Sequence, residues 1–296
     1  MSGLKFAILD RLLACARILP PGFAWWLGGV LGDAFGRLPM RDQGRARAHL
    51  ARAFPERGRF WLERTARASF RHVGRMALAT LATLHRDGAA LRKGVLVEGV
   101  DNIRALLAAT RRGEGTVCFT GHFGNWELFA RLGGAMIPLT VVGRRLRNPL
   151  ADHLVQGART RSGARLLYQD SPIRAFVHEL RAGRMLAVLI DQDIPRLPGA
   201  FVPWFGIPAH TPTGPAGLAL LTGAAVQPAF LYRRAGRWVL HAGPRRRFPR
   251  TGNRDADAAA ITAWATAYEE ALVRRHPEQW VWWHRRWHTR PPVTEG

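Results

Sequence analysis

The run Thr116-Val-Cys-Phe-Thr-Gly-His122 places a histidine at the end of a short apolar, β-type stretch, and a carboxylate, Glu127, follows after the turn-forming pair Gly124-Asn125. A neutral imidazole can take a proton from a hydroxyl as its oxygen attacks a carbonyl. A nearby carboxylate can fix the tautomer and stabilise the imidazolium. Five positions along one continuous helix separate two side chains by roughly 140°, so the pair meets only if His122 lies in the turn and Glu127 in the first turn of a helix opening at Trp126. Glycines on both sides leave the backbone open to a substrate, while Asn125 and Trp126 supply a polar handle and a wall. The competing reading is a hydrogen-bonded core histidine without chemistry.

Acyl transfer suits such a pair. No serine or cysteine sits in a nucleophile elbow beside it, so direct transfer to a bound acceptor is more natural than an acyl-enzyme. Metalloprotease chemistry fits poorly, because the two histidines four apart on one helix face are missing. No metal and no cofactor are expected. Backbone N–H groups around Gly124 and Asn125, or a nearby arginine, are the expected donors to a developing oxyanion. Asp191 and Asp193 follow an apolar run, Met185–Ile190, and would emerge at the C-terminal end of a strand, where α/β sheets commonly build sites. They suit binding of sugar hydroxyls or anchoring of an arginine; a structural role is the alternative. Arg144, Arg159 and Arg161 lie between these two regions and could hold phosphate or carboxylate.

The elements that must position these groups can be followed along the chain. From Gly94, short apolar runs alternate with helical segments: Val95-Leu-Val-Glu, a helix Asn102–Arg111 capped by Asp101, the strand Thr116–Thr120, then Thr140-Val-Val-Gly and a helix from about Pro149. Arg165-Leu-Leu-Tyr, helix Ile173–Ala182, Met185–Ile190, helix Gly214–Thr222, and Ala225–Arg233 with Trp238–Ala242 follow. This alternation implies an α/β fold whose central sheet is flanked by helices, and mixed because the last two strands read as a hairpin about Ala235-Gly236. The helix Ala256–Arg275 and a tryptophan-rich tail close the chain. That tail could stack on nucleic-acid bases, but packing on the core with its arginines facing a membrane or phosphate is the favoured reading.

Before Gly94 the chain is helical in character. Residues 1–40 read as an amphipathic, interfacial helical region, split by Pro20-Pro21, with Trp25 and Trp26 suited to a headgroup boundary; a helical pair packed on the domain is the alternative. Residues 41–296 form the α/β domain, with 41–90 as its helical lead-in. No apolar run approaches the roughly 20 residues of a membrane-spanning helix, and the N-terminus lacks a signal-peptide layout.

Composition limits the partners. The chain has 296 residues, 47% of them apolar and 11 of them tryptophan, which fits a packed globular protein. Its formal charge of +23 is almost all arginine and calls for acidic partners: nucleic acid, an anionic leaflet, a phosphorylated substrate or an acidic carrier protein. Cys15 and Cys118 show no pairing or metal spacing, the pattern of a reducing compartment.

Several segments occur together and in order: Gly121-His-Phe-Gly-Asn-Trp-Glu127, Arg147-Asn-Pro-Leu, Asp191-Gln-Asp193, Phe201-Val-Pro-Trp-Phe-Gly206, Thr213-Gly214, Thr222-Gly-Ala-Ala-Val-Gln-Pro, and Pro277-Glu-Gln-Trp-Val-Trp-Trp-His-Arg-Arg-Trp. In this order they resemble the bacterial lipid A biosynthesis acyltransferases, the late lauroyl/myristoyl transferases, from about Ala51 to Pro292. The resemblance implies transfer of a fatty acyl group from an acyl carrier protein to a hydroxyl of a Kdo-bearing lipid A precursor, at the cytoplasmic face of the inner membrane. It implies His122 and Glu127 as the catalytic pair, and it favours Arg161 as the substrate arginine, matched to the family's Arg-x-Arg-Ser-like segment. The expected partners are therefore an acidic acyl carrier protein, a phosphorylated glycolipid and an anionic membrane surface, with no nucleic acid. Phosphatidylinositol mannoside acyltransferases look similar around the same histidine and glutamate. Rival readings from other classes are a basic nucleic-acid-binding protein and a non-catalytic membrane-binding protein.

Overall fold

The computed structural model describes residues 11, 14, 15, 18–38, 40–86, 88–146 and 148–291. The first amphipathic segment, Leu4–Leu19, lies largely outside these residues, as does Arg147.

A seven-stranded sheet organises the domain. Its strands are β1 (Leu96–Glu98), β2 (Thr116–Thr120), β3 (Leu139–Gly143), β4 (Arg165–Tyr168), β5 (Met185–Leu189), β8 (Ala225–Arg234) and β9 (Arg237–Ala242). They lie in the order β1-β9-β8-β2-β5-β3-β4. Every pairing is parallel except β8 with β9, which is the hairpin expected about Ala235-Gly236. Both turn residues have positive φ, 47° and 79°, the conformation a tight two-residue hairpin requires. β2 is buried at all five positions, as expected of a strand covered on both faces by crossover helices.

Two helices, Trp126–Gly134 and Pro149–Arg161, follow β2 and β3. The helices Ile173–Arg181, Gly214–Thr222 and Arg254–Arg275 pack around Val117, Phe119, Leu186 and Val226. Asn148 caps the second helix through Ala151 N–H at 2.6 Å, with Pro149 at its first position. Asp101 does not cap its helix: that helix begins at Val100 after Gly99, whose φ of 76° carries the chain into it, and Asp101 sits in the first turn. A separate hairpin of β6 (Gly199–Trp204) and β7 (Ile207–Pro212) interrupts the alternation. It covers the stretch Phe201–Gly206, which was legible as a motif but not as strands.

Helix α1 (Pro21–Phe35) crosses helix α2 (Arg59–Ala82) at glycines. A Cβ on Gly28, Gly32 or Gly74 would strike the facing backbone, so the two helix backbones approach without side chains between them. Arg37, Arg67 and Arg71 converge on Asp33 at the same crossing. Part of the basic lead-in, Arg67 and Arg71, thus ties the two helices together from the partly exposed edge of the crossing. Helix α1 exposes Phe23, Trp26, Val30, Leu31 and Phe35. Among the described residues no helix is long and apolar enough to cross a membrane.

Candidate functional site

β2 and β5 are parallel neighbours, so the segments leaving them emerge side by side. The first carries Gly121-His122 and the second Asp191-Gln-Asp193. Ile190 N–H donates to Thr120 O at 3.0 Å and zips the two ends together. Past this point the tail folds over the same edge: Phe123 bridges Trp280, and Gly124 N–H donates to Gln279 O at 2.9 Å.

His122 is held twice by one carboxylate. Its Nδ1 lies 2.8 Å from Asp191 Oδ1, and its backbone N–H donates to Asp191 Oδ2 at 2.7 Å. The Trp280 indole N–H donates to Oδ2 at 2.9 Å. Burial alone would raise the Asp191 carboxyl, but the facing imidazole and its hydrogen bonds hold it below the usual carboxylate range. An ionised Asp191 requires the proton of neutral His122 on Nδ1, which leaves Nε2 as the basic nitrogen. The His122 side chain keeps 19% of its surface exposed, while Trp126 and His284 meet its ring edge-on at centroid distances of 5.0 and 4.5 Å.

The expected orienter is therefore corrected. The carboxylate on His122 is Asp191, not Glu127. Glu127, in the first turn of helix Trp126–Gly134, turns instead to Arg159 on helix Pro149–Arg161, which donates to both its oxygens at 3.0 and 2.7 Å. The physical reason lies in the packing of these two helices: the paired guanidinium satisfies both oxygens at once, and Asp191 already occupies Nδ1.

Other expectations also change. Gly124 N–H is taken by Gln279 O, and Asn125 N–H donates to Leu231 O at 2.7 Å. Neither is free to receive an oxyanion. The Asn125 side chain caps the following helix through Leu128 N–H, and Gly124 has a φ of 64° with its Cα pressed on the Leu231 carbonyl. Both residues shape the turn. Asp191 and Asp193 have no exposed side-chain surface and so cannot reach sugar hydroxyls; Asp193 accepts from Thr289 N–H and Oγ1 at 2.6 and 2.8 Å. Arg161 donates to Leu84 O at 2.8 Å, which makes Arg159 the arginine at Glu127. Arg144 is exposed on the loop after β3. In the tail, Arg286 faces inward and not a membrane: it is fully buried and donates to His210 O and Thr211 Oγ1.

Sequence reasoning passed over Gln192 and His284. The Gln192 amide nitrogen lies 3.5 Å from His122 Nε2, and its place between two aspartates was the available signal. His284 sits so that one atom each from His122, Asp191 and His284 lie within 4.8 Å of one another, a spacing that could hold a cation. Both Asp191 oxygens, however, already accept hydrogen bonds from His122 and Trp280. Burial pushes His284 down to about 3 and keeps it neutral. Cys118 is no nucleophile, since burial pushes its thiol up to about 12.

A cavity of about 620 Å³ opens beside this edge, lined by Ile173, Phe176, Val188, Ile190, Leu197 and Leu218 among others. Ile190 is the residue before Asp191, so the apolar space begins next to the His122–Asp191 pair.

Residues 6–289 match a family model described as bacterial lipid A biosynthesis acyltransferase. Among curated proteins, the lipid A biosynthesis palmitoleoyltransferase of Escherichia coli (strain K12) is 27% identical over 92% of this chain and 87% of its own length. The lipid A biosynthesis lauroyltransferase of the same organism is 29% identical over 88% of this chain and 85% of its own. A phosphatidylinositol mannoside acyltransferase of Mycobacterium tuberculosis is 27% identical over 70% of this chain and 64% of its own.

Proposed function

Because the chain belongs to the bacterial lipid A biosynthesis acyltransferase family, we propose that this acyltransferase moves a fatty acyl group from a thioester donor to a hydroxyl of a Kdo-bearing lipid A precursor. The donor is an acyl carrier protein or acyl-coenzyme A, and the reaction takes place at the cytoplasmic face of the inner membrane. The observation that carries the reading is the partly exposed imidazole of His122, locked through Nδ1 to a buried carboxylate.

Nε2 of His122 takes the acceptor's hydroxyl proton as the oxygen attacks the thioester carbonyl. Asp191 holds the ring and stabilises the imidazolium. The tetrahedral intermediate collapses with loss of the thiolate, which recovers the proton from Nε2, so the ester forms and the histidine returns to its neutral state. With the Gly124 and Asn125 N–H groups engaged, the Gln192 amide is the donor near Nε2 that suits the oxyanion. Glu127 and Arg159 act as a rigid pair that positions substrate, their side chains 17% and 13% exposed.

The cavity beginning at Ile190 suits the acyl chain. The exposed apolar face of helix Pro21–Phe35 suits insertion among headgroups, with arginines around it to meet anionic lipid. The basic surface also fits an acidic carrier protein and a phosphorylated acceptor. A second reading, a different phosphorylated glycolipid as acceptor, is favoured by the similarity to the mycobacterial transferase. Mass spectrometry of lipid A from cells with and without the gene tests the assignment. One acyl chain missing from the deletion strain supports lipid A as the acceptor. An unchanged pattern in a strain lacking redundant transferases, with transfer by the purified protein to a mannoside, favours the second reading.

A further inference from the structure

Helix Arg254–Arg275 buries a carboxyl for which the acyl-transfer chemistry above has no use. Glu269 is 1% exposed and lies on the stripe of Ile261, Ala265, Leu272 and Val273 that seats the helix on the core. Its carboxyl presses on the Cα of Gly121, where any side chain would collide with it, so it stands directly behind the residue preceding His122. Among the described residues, neither Glu269 oxygen receives a hydrogen bond. The nearby Trp280 indole N–H is directed at Asp191 instead.

Two carboxyl groups facing each other away from water cannot both ionise cheaply. Asp191 has three donors: His122 N–H, His122 Nδ1–H and the Trp280 indole. Glu269 has none of these, so Asp191 carries the charge and Glu269 keeps the proton. Three donors fill three of the roughly four acceptor sites of a carboxylate, leaving one for the Glu269 O–H. We propose that Glu269 is a positioning residue, a protonated carboxyl that donates to Asp191 and completes a His122–Asp191–Glu269 relay. The proposal rests on the reading of His122 as the base.

The surrounding charges agree. Burial and the adjacent Asp191 carboxylate push Glu269 well above the usual range, against the pull of Arg286. The other titratable groups facing the relay are His284, neutral because burial holds it at about 3, and Arg286, which burial pushes down against the pull of the Asp191 and Asp193 carboxylates. Donation from Glu269 draws charge density off Asp191. Without it, more of that charge faces the imidazole and favours its protonated form, so the acid limb of the rate profile moves to higher pH.

Infrared difference spectra of the full chain against E269Q at about pH 7.5 read the proton directly. A protonated-carboxyl band lost in E269Q is expected; loss of a carboxylate band instead overturns the proposal. The pH dependence of kcat/KM reads the positioning role. E269Q, whose amide can still donate, should keep the wild-type acid limb, and E269L should raise it by roughly half a unit to one unit. An unmoved limb in folded E269L, or a limb in E269Q displaced by about a unit, overturns the role. Should E269L not fold, the two E269Q readouts still decide. Wild-type transfer by H122A would sink the base assignment, while the infrared result would stand independently.

Discussion

Nδ1 of His122 lies 2.8 Å from Asp191 Oδ1 although the two residues stand 69 positions apart in the chain. Parallel pairing of β2 with β5 is what closes that gap: each residue leaves the same edge of the sheet on an adjacent strand. His122 thereby follows a fully buried strand and meets a carboxylate that Trp280 also bonds through its indole.

Gly124 tests the turn that holds the base. With φ at 64° and its Cα against the Leu231 carbonyl, Gly124→Ala pays for both a left-handed backbone and a collision. A loss of roughly 2–4 kcal/mol in urea unfolding is expected. A loss below about 0.5 kcal/mol would contradict this geometry.

Acid should weaken the fold through three buried, neutral histidines. Burial, the largest cause for each, lowers His49 and His72 from 6.5 to about 4, and His284 to about 3. Between those values and 6.5 the unfolded chain binds protons that the native state does not, so stability falls as pH falls. Glu269 works in the opposite sense, because the native state holds a proton that the unfolded chain releases above about 4.5. Three groups outweigh one, and Tm should drop steadily from about pH 7 to about pH 4. In His72→Gln that decline should be shallower, and an unchanged slope would show that His72 does not contribute.

Gly217 tests the acyl cavity. It lines the space, and a Cβ built on it meets no atom within 4 Å. Gly217→Leu should fill part of the cavity and improve helix propensity by up to about 1 kcal/mol, leaving the fold intact. The variant should favour donors shorter by a few carbons. An unchanged chain-length profile would place the acyl chain elsewhere.

Trp26 tests membrane docking. It is 57% exposed on the apolar face of helix Pro21–Phe35. Trp26→Glu should weaken binding to vesicles containing anionic lipid by on the order of tenfold, with transfer to a water-soluble acceptor retained. Equal vesicle binding in the variant would locate the contact on another surface.

Much of the fold was legible because local chemistry determined it. Ala235-Gly236 announced a hairpin, Pro149 marked the start of a helix, and the apolar run Thr116–Thr120 marked a buried strand. The candidate site was legible in its histidine and its strand ends, and less so in its pairing. His122 and Glu127 are close in sequence, but strand order, which no local pattern reveals, delivered Asp191 to the imidazole and left Glu127 to Arg159. Asp191 was located correctly at a strand end but assigned outward to substrate, since nothing in Asp-Gln-Asp distinguishes a buried acceptor from an exposed one. Glu269 did carry a signal: an acid on the apolar stripe of a long helix.

The most direct test is steady-state acyl transfer by Asp191→Asn beside Glu127→Gln and His122→Ala. In Asp191→Asn the amide can no longer hold Nδ1–H, so kcat should fall by about 10²–10⁴ with little change in KM or Tm. Adding Asp191→Asn to His122→Ala should cost almost nothing further, as expected for residues acting as one unit. Glu127→Gln should instead add to the His122→Ala loss. Near wild-type turnover in folded Asp191→Asn, or a Glu127→Gln defect that disappears in the His122→Ala background, would contradict Asp191 as the residue that arms the base.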